Sequence, residues 1–317
     1  MSVPGAPSRW ELARVRDPLV TPIEVWNLPL ADRRLLWEVA GTPFVEGQRL
    51  RGVADVLIAR DIANAVADAA KQLHKLERFD RLWITGGLTA LAGFVGAAKH
   101  ALASVAFDPQ IADAGAFAGE AGGRALLAAR GHQGGVVVDV GQTSIKVSVF
   151  PEDTAAPGKK ARPARILRAR HLAELPRRFI GVAPVTAESA RAAVDAAAPW
   201  IAESVLDALD AVVPRPVPPA IILGLPCPVD DALVPGACTY GWAGDATLVP
   251  RIADALADKG AFAAPAAPAE AVEAVDLLVL NDAELAAASL PAELPQVART
   301  LVMTVGFGPG AAIHRRV

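Results

Sequence analysis

An α/β protein is predicted for this chain, on three observations. Short runs rich in β-branched and aliphatic residues alternate with amphipathic or alanine-rich stretches of helical period along the sequence. Several of the apolar runs end in loops carrying Gly, Asp or Thr, the place where open α/β sheets bind ligands. The 317 residues exceed what one hydrophobic core usually serves, so two domains or subdomains are expected.

The elements follow in chain order. Trp10 to Val15 and Ile23 to Leu28 read as short strands punctuated by Pro18, Pro22 and Pro29. Residues 53–75 place Val53, Val56, Leu57, Ile62, Val66 and Leu73 near one helical face. Arg81 to Thr85 is a short buried strand ending in Gly86-Gly87, with an alanine-rich helix over 91–106 after it and Ile111 in a further strand. Glu120 to Arg130 reads as a helix, leading through Gly131 to Gly134 into a hairpin built from Val136–Val138 and Ile145–Val149. Pro151 to Pro163 is a polar loop and Ile166 to Arg170 a third strand. Thr186 opens a long helix, interrupted or bent near Pro199. Ala220 to Leu225 is a buried strand, Leu248 to Leu256 a helix, 261–268 a loop and Leu277 to Leu280 a strand ending at Asn281-Asp282. A helix begins at Glu284, and Thr300–Val305 with Ala311–His314 makes a second glycine-turn hairpin.

Composition excludes some function classes. Hydrophobic residues make up 53% of the chain, much of it alanine, which favours helices more than membranes. No run of about 18 apolar residues lacks charges and no signal-peptide core opens the sequence, so a soluble cytoplasmic protein without a membrane partner is expected. A net charge of −3 from 31 basic and 34 acidic residues gives no case for nucleic acid. The basic stretch from Lys159 to Arg170 reads as a solvated strand face or edge. Cys227 and Cys238 lack metal-ligand spacing and read as buried or half-buried thiols. The five histidines form no ligand set with them, so zinc is not expected.

Four strand-end loops carry the chemistry: Asp139-Val-Gly-Gln-Thr143, Gly224-Leu-Pro-Cys-Pro-Val-Asp230, Asn281-Asp282 and Thr304-Val-Gly-Phe-Gly-Pro-Gly310. With these motifs in this order, the chain from about 135 to 314 resembles the actin-like ATPase superfamily, and within it the ROK sugar kinases and repressors. VVVDVGQTSIKVSVF is similar to the first phosphate hairpin, and LVMTVGFGPGAAI to the second. IILGLPCPVDDALVPGACTYGW is similar to the glycine-proline-glycine loop with its following Gly-Trp, and LLVLNDAELAAASL to the segment with the sugar-binding Asn and catalytic Asp. The resemblance implies two ribonuclease-H-like domains flanking a nucleotide cleft, with ATP and Mg²⁺ as cofactors. It implies a small-molecule partner, most plausibly a sugar; a homodimer stays open.

In that superfamily an adenosine loop and a last helix follow the second hairpin. Here RLWITGGLT resembles the adenosine loop and FAGEAGGRALLAARG the last helix, and both precede the first hairpin. A circular permutation is inferred, in which residues 1–115 are the later half of the second domain, 116–260 the first domain and 261–317 the start of the second. Permutation is tolerated where termini lie close together at a surface. Trp10 to Val15 could supply the strand due after the second hairpin. The alternative is an unrelated N-terminal α/β domain.

The resemblance assigns roles residue by residue. Asp139 would hold Mg²⁺, directly or through water. Gly141, Gln142, Thr143, Thr304, Gly306 and Gly308 would approach the ATP phosphates, and Gly86 and Gly87 would lie against adenosine, where a side chain would block the nucleotide. Asp282 would be the general base, with a helix N-cap as its structural alternative. Asn281 would bind a sugar hydroxyl, with Asp230, a residue type also common in turns, as a further substrate contact. Lys146 on the second hairpin strand can simply face solvent.

Departures bear on the acceptor. Gln142 and Cys227 stand where the ROK pattern has glycine, and neither its Glu-x-Gly-His sugar motif nor its cysteine-rich zinc loop is found. Glu46-Gly47-Gln48 lies in the corresponding permuted region without the histidine. A sugar kinase is therefore expected, with a non-catalytic nucleotide or sugar sensor of the same fold as the alternative. A repressor is disfavoured because no basic recognition helix precedes the fold. A dinucleotide enzyme is disfavoured because no Gly-x-Gly-x-x-Gly run joins a strand to a helix with an acidic residue beyond.

Overall fold

The computed structural model describes residues 10–16, 19–23, 56–112, 117–141, 144–150, 164–169, 186–212, 218–237, 240–259, 275–290, 297–306 and 309–315. Within them the chain is a mixed α/β protein with two mixed sheets and six α-helices. It divides into two compact units, Met1–Val15 with Gly123–Val140 and Ser144–Leu280, and Arg16–Gly122 with Gly141–Thr143 and Asn281–Val317. Among the described residues no helix is long and apolar enough to cross a membrane.

The first unit is built on a six-stranded sheet. Strand β5 (Gly135–Val140) forms an antiparallel hairpin with β6 (Ser144–Phe150), and β6 pairs antiparallel with β7 (Ala164–Ala169). On its other side β5 runs parallel to β8 (Ala220–Leu225), followed by β9 (Val275–Asn281) and the parallel edge strand β1 (Trp10–Arg14). The central strand β8 is buried along its whole length, which is why it reads as an unbroken apolar run. Period-2 alternation sends Val136, Val138 and Val140 of β5 into one core with Ile221, Leu223, Leu277 and Val279. Helices α4 (Ala187–Asp210) and α5 (Leu248–Asp258) cover that face through Val194, Ile201, Val205, Leu209, Ile252 and Leu256. Thr186 caps α4 in a reciprocal pair with Ser189. The expected interruption at Pro199 is not found, because α4 runs through it unbroken. The β7 edge carries the described part of the basic stretch, with Arg165 exposed and Arg168 beside Glu203 and Asp207 of α4.

The second unit holds a five-stranded sheet in the order β2-β11-β10-β3-β4. It joins the two ends of the chain, since β10 (Arg299–Val305) and β11 (Pro309–Arg315) pair with β3 (Arg81–Thr85) and β2 (Val20–Ile23) respectively. The pairs β10–β11 and β11–β2 are antiparallel, whereas β10–β3 and β3–β4 (Asp108–Ile111) are parallel. Leu301, Met303 and Val305 point into a core with Ile62, Leu73, Leu82, Ile84, Phe94 and Leu102, which belong largely to α1 (Val56–Glu77), α2 (Phe94–Ala101) and β3. The alternate Val302, with Ala312 and Val20, packs against α6 (Asp282–Ala287) on the opposite face. A Cβ on Gly122 of α3 (Ala118–Ala129) would strike the Leu285 carbonyl of α6, so the two helices meet backbone to backbone there.

Two expectations change. Trp10–Arg14 pairs with β9 in the first sheet, and the strand beside β11 is Val20–Ile23. The reason is register. His314 lies opposite Val20 and the Arg315 N–H donates to Leu19 O at 2.7 Å, so the four β2 residues complete the hairpin edge. The expected strand at Ile23 to Leu28 thus starts earlier, and its continuation lies outside the described residues. The helix expected over 91–106 is shorter, because Gly93 at φ 84° separates the 3₁₀ turn Gly87–Ala90 from α2. The compact units change over after Val15, Gly122 and Leu280, with Gly141–Thr143 grouped in the second. Residues 29–52, Pro151–Pro163, His171 and Cys238 lie outside the described residues.

Candidate functional site

In the first unit, Asp139 is the fifth residue of β5 and lies directly opposite Lys146 of β6. The Lys146 Nζ donates to Asp139 Oδ2 at 2.8 Å, with the side chains 18% and 16% exposed. Lys146 is therefore not a solvent-facing lysine but the partner of the candidate metal ligand. One carboxylate oxygen is committed to the ammonium, which leaves Oδ1 as the position for a cation. That arrangement fits Mg²⁺, which retains several waters and is commonly held by one or two carboxylates plus substrate phosphates. Among the described residues no cluster of three metal-ligating side chains occurs. Gly141 follows β5 half-buried, while Gln142 and Thr143 lie outside the described residues.

The loop after β8 is a folded turn. Cys227 is buried, at 1% exposure. Val229 bridges to Pro235, and the Gly236 N–H donates to Pro228 O at 2.7 Å. Asp230 is exposed, and its Oδ1 accepts the Val234 N–H at 2.8 Å across a turn in which Leu233 takes φ 63°. Its turn role is thus realised, and a substrate contact by Asp230 would fall to its other oxygen.

In the second unit, five of the proposed site residues gather at one end of one sheet. Thr304 of β10 is paired with Thr85 of β3 and with Gly310 of β11, and Gly306 follows β10 as Gly86 and Gly87 follow β3. Asp282 comes to the same hairpin. A Cβ on Gly310 would stand 2.5 Å from Thr304 Oγ1, so the missing side chain makes room for that hydroxyl, and 3.5 Å from Asp282 Oδ1, an ordinary contact distance. Gly308 lies outside the described residues.

The helix cap falls on Asn281, not Asp282. Asn281 Oδ1 accepts the Ala283 N–H, while Glu284 Oε2 accepts the Asn281 N–H, both at 2.9 Å. Asp282 is the first helical residue of α6. Gly86 needs glycine for a reason other than a nucleotide: at φ 111°, a Cβ would meet Val305 O at 2.5 Å and Val305 N at 2.7 Å. Gly87 is exposed, and a Cβ there meets nothing within 4 Å.

Sequence reasoning missed Lys146 and Gly310 as site residues. The i, i+7 spacing from Asp139 could have flagged the first, and the third glycine of the Thr-x-Gly-x-Gly-x-Gly run the second. No family model matches the chain, and no curated protein sequence matches it.

Proposed function

We propose that this chain is an ATP-dependent small-molecule kinase of actin-like ATPase architecture, circularly permuted, that phosphorylates a hydroxyl of an acceptor, most plausibly a sugar. The observation that carries this is the strand order. Read from β5, the first sheet runs as a three-stranded antiparallel meander β5-β6-β7, followed through α4 by β8 and through α5 by β9 on the other side of β5. Read from β10, the second sheet has the same plan: the meander is β10-β11-β2, followed through α1 by β3 and through α2 by β4. The ribonuclease-H-like fold is built on this plan, and each meander opens with one of the two glycine hairpins. In the second copy the third strand precedes the first two in the chain, an order that supports the proposed permutation.

In this function Asp282 would accept the proton of the acceptor hydroxyl as its oxygen bonds to the γ-phosphorus and the bond from that phosphorus to the bridging oxygen breaks, releasing ADP. Asp139 would hold the metal with Lys146 fixing its second oxygen, and the backbone at Gly141 and Gly306 would approach the phosphates. Mg²⁺, when bound with ATP, neutralises the charge that develops on the transferred group. A second reading, a sensor without turnover, is favoured by the Asp139–Lys146 pair, which already compensates the candidate metal ligand.

The test is Mg²⁺-dependent ADP release from ATP over a panel of sugars and other hydroxylic metabolites. Turnover with one acceptor, reduced about 10²–10⁴-fold in Asp282→Asn while ATP binding persists, supports the kinase. Binding of ATP without acceptor-dependent turnover supports the sensor. Absence of ATP binding removes both.

A further inference from the structure

The edge strand β1 is not explained by the repeated sheet plan, because neither meander nor its following strands require it. Its last residue, Arg14, lies opposite Val279 of β9. The half-buried guanidinium sends Nε to the Val229 carbonyl at 2.8 Å, and its terminal nitrogen to the carbonyls of Val279, at 3.3 Å, and Val15. The Val15 N–H also donates to Val279 O at 2.9 Å. One rigid fork thus ties the end of β1 and the final turns of β9 to the loop that follows β8. Val229 is the residue before Asp230, and Val279 stands two residues before Asn281 in the chain. A lysine could not reproduce this, since its ammonium lacks the fixed planar geometry that reaches separate carbonyls at once.

From this we infer that Arg14 is a positioning residue for the acceptor. It anchors the Pro226–Gly236 loop against the end of β9 and sets the loop's geometry for a small hydroxylic substrate. The role rests on the kinase function proposed above.

Amide hydrogen exchange on the full chain, with Arg14→Gln and Arg14→Lys, tests the anchor. The expected result is exchange roughly tenfold faster at Asp230, Leu233, Val234 and Gly236 in both variants, with the β5 and β6 amides unchanged. Uniformly faster exchange, or none, overturns it. Should Arg14→Gln fail to fold, Arg14→Lys keeps the charge and decides alone. With the acceptor found in the ADP-release screen, the acceptor KM of Arg14→Lys should rise several-fold while the KM for ATP and kcat hold. Equal loss in all three parameters overturns the positioning role. If the unmodified chain turns over no acceptor, the kinase function has failed, and the exchange result still decides whether Arg14 anchors the loop.

Discussion

Gly310 is where a single missing side chain has the most to decide. The hydroxyl of its register partner Thr304 occupies the space a Cβ would need. Gly310→Ala should destabilise the chain by about 1–3 kcal/mol in urea unfolding. Combining it with Thr304→Ala should recover part of that loss, because the 2.5 Å clash is with the threonine Oγ1. A fully additive double variant would mean the clash is not the cause. The Asp139–Lys146 pair has a similar logic. Lys146→Met removes a charge-assisted bond at 2.8 Å and should cost about 1–3 kcal/mol, whereas the same change in an Asp139→Asn background should cost much less. Sequence alone pointed to Asp139 and Asp282 through their motifs. It could not say that Lys146 turns inward, because a lysine at that strand position is compatible with solvent until the register puts it opposite a carboxylate.

At the scale of elements, two caps make testable claims. Asn281→Ala should weaken α6 by about 0.5–2 kcal/mol, and Asn281→Asp should retain most of it, since either side-chain oxygen can accept the Ala283 N–H. The start of α5 is set by Asp245, whose carboxyl is almost fully buried and accepts from the Thr247 N–H, the Thr247 hydroxyl and Arg191. Burial raises its pKa, but the bonds from Thr247 and Arg191 outweigh burial and hold it below the ordinary carboxylate value. A depressed folded pKa means that the contribution is complete above the unfolded value of about 3.9 and is lost as pH falls through the folded one. Urea midpoints should therefore drop for the natural chain between about pH 4 and pH 2 more steeply than for Asp245→Asn. Most strands were legible from apolar runs bounded by glycine or proline, and Arg81–Thr85 matches to the residue. The helix after it was overextended, because alanine content sets propensity while the left-handed Gly93 sets where the helix begins.

For the whole molecule, the second sheet makes the permutation testable without any ligand. Arg315 is hydrogen-bonded to Leu19, so the two strands can be joined by a turn. A chain opened between Gly131 and Gly134, with Arg315 joined to Leu19 by a short turn and residues 1–18 omitted, should keep its far-UV circular dichroism and unfold cooperatively. It should be less stable than the natural order, because it lacks β1 and the Arg14 bonds. A chain that stays unfolded in this order would count against the shared sheet plan. The sequence by itself determined the α/β class, the positions of most strands and the four strand-end motifs, because periodicity and turn chemistry are local properties of neighbouring residues. Only the tertiary structure decided which sheet takes Trp10–Arg14, that Val20–Ile23 closes the second hairpin, that Asn281 rather than Asp282 caps α6, and that the Thr304 hydroxyl stands where a Gly310 side chain would begin. Those outcomes depend on strand register and close backbone approach between segments far apart in the chain, which no local pattern encodes.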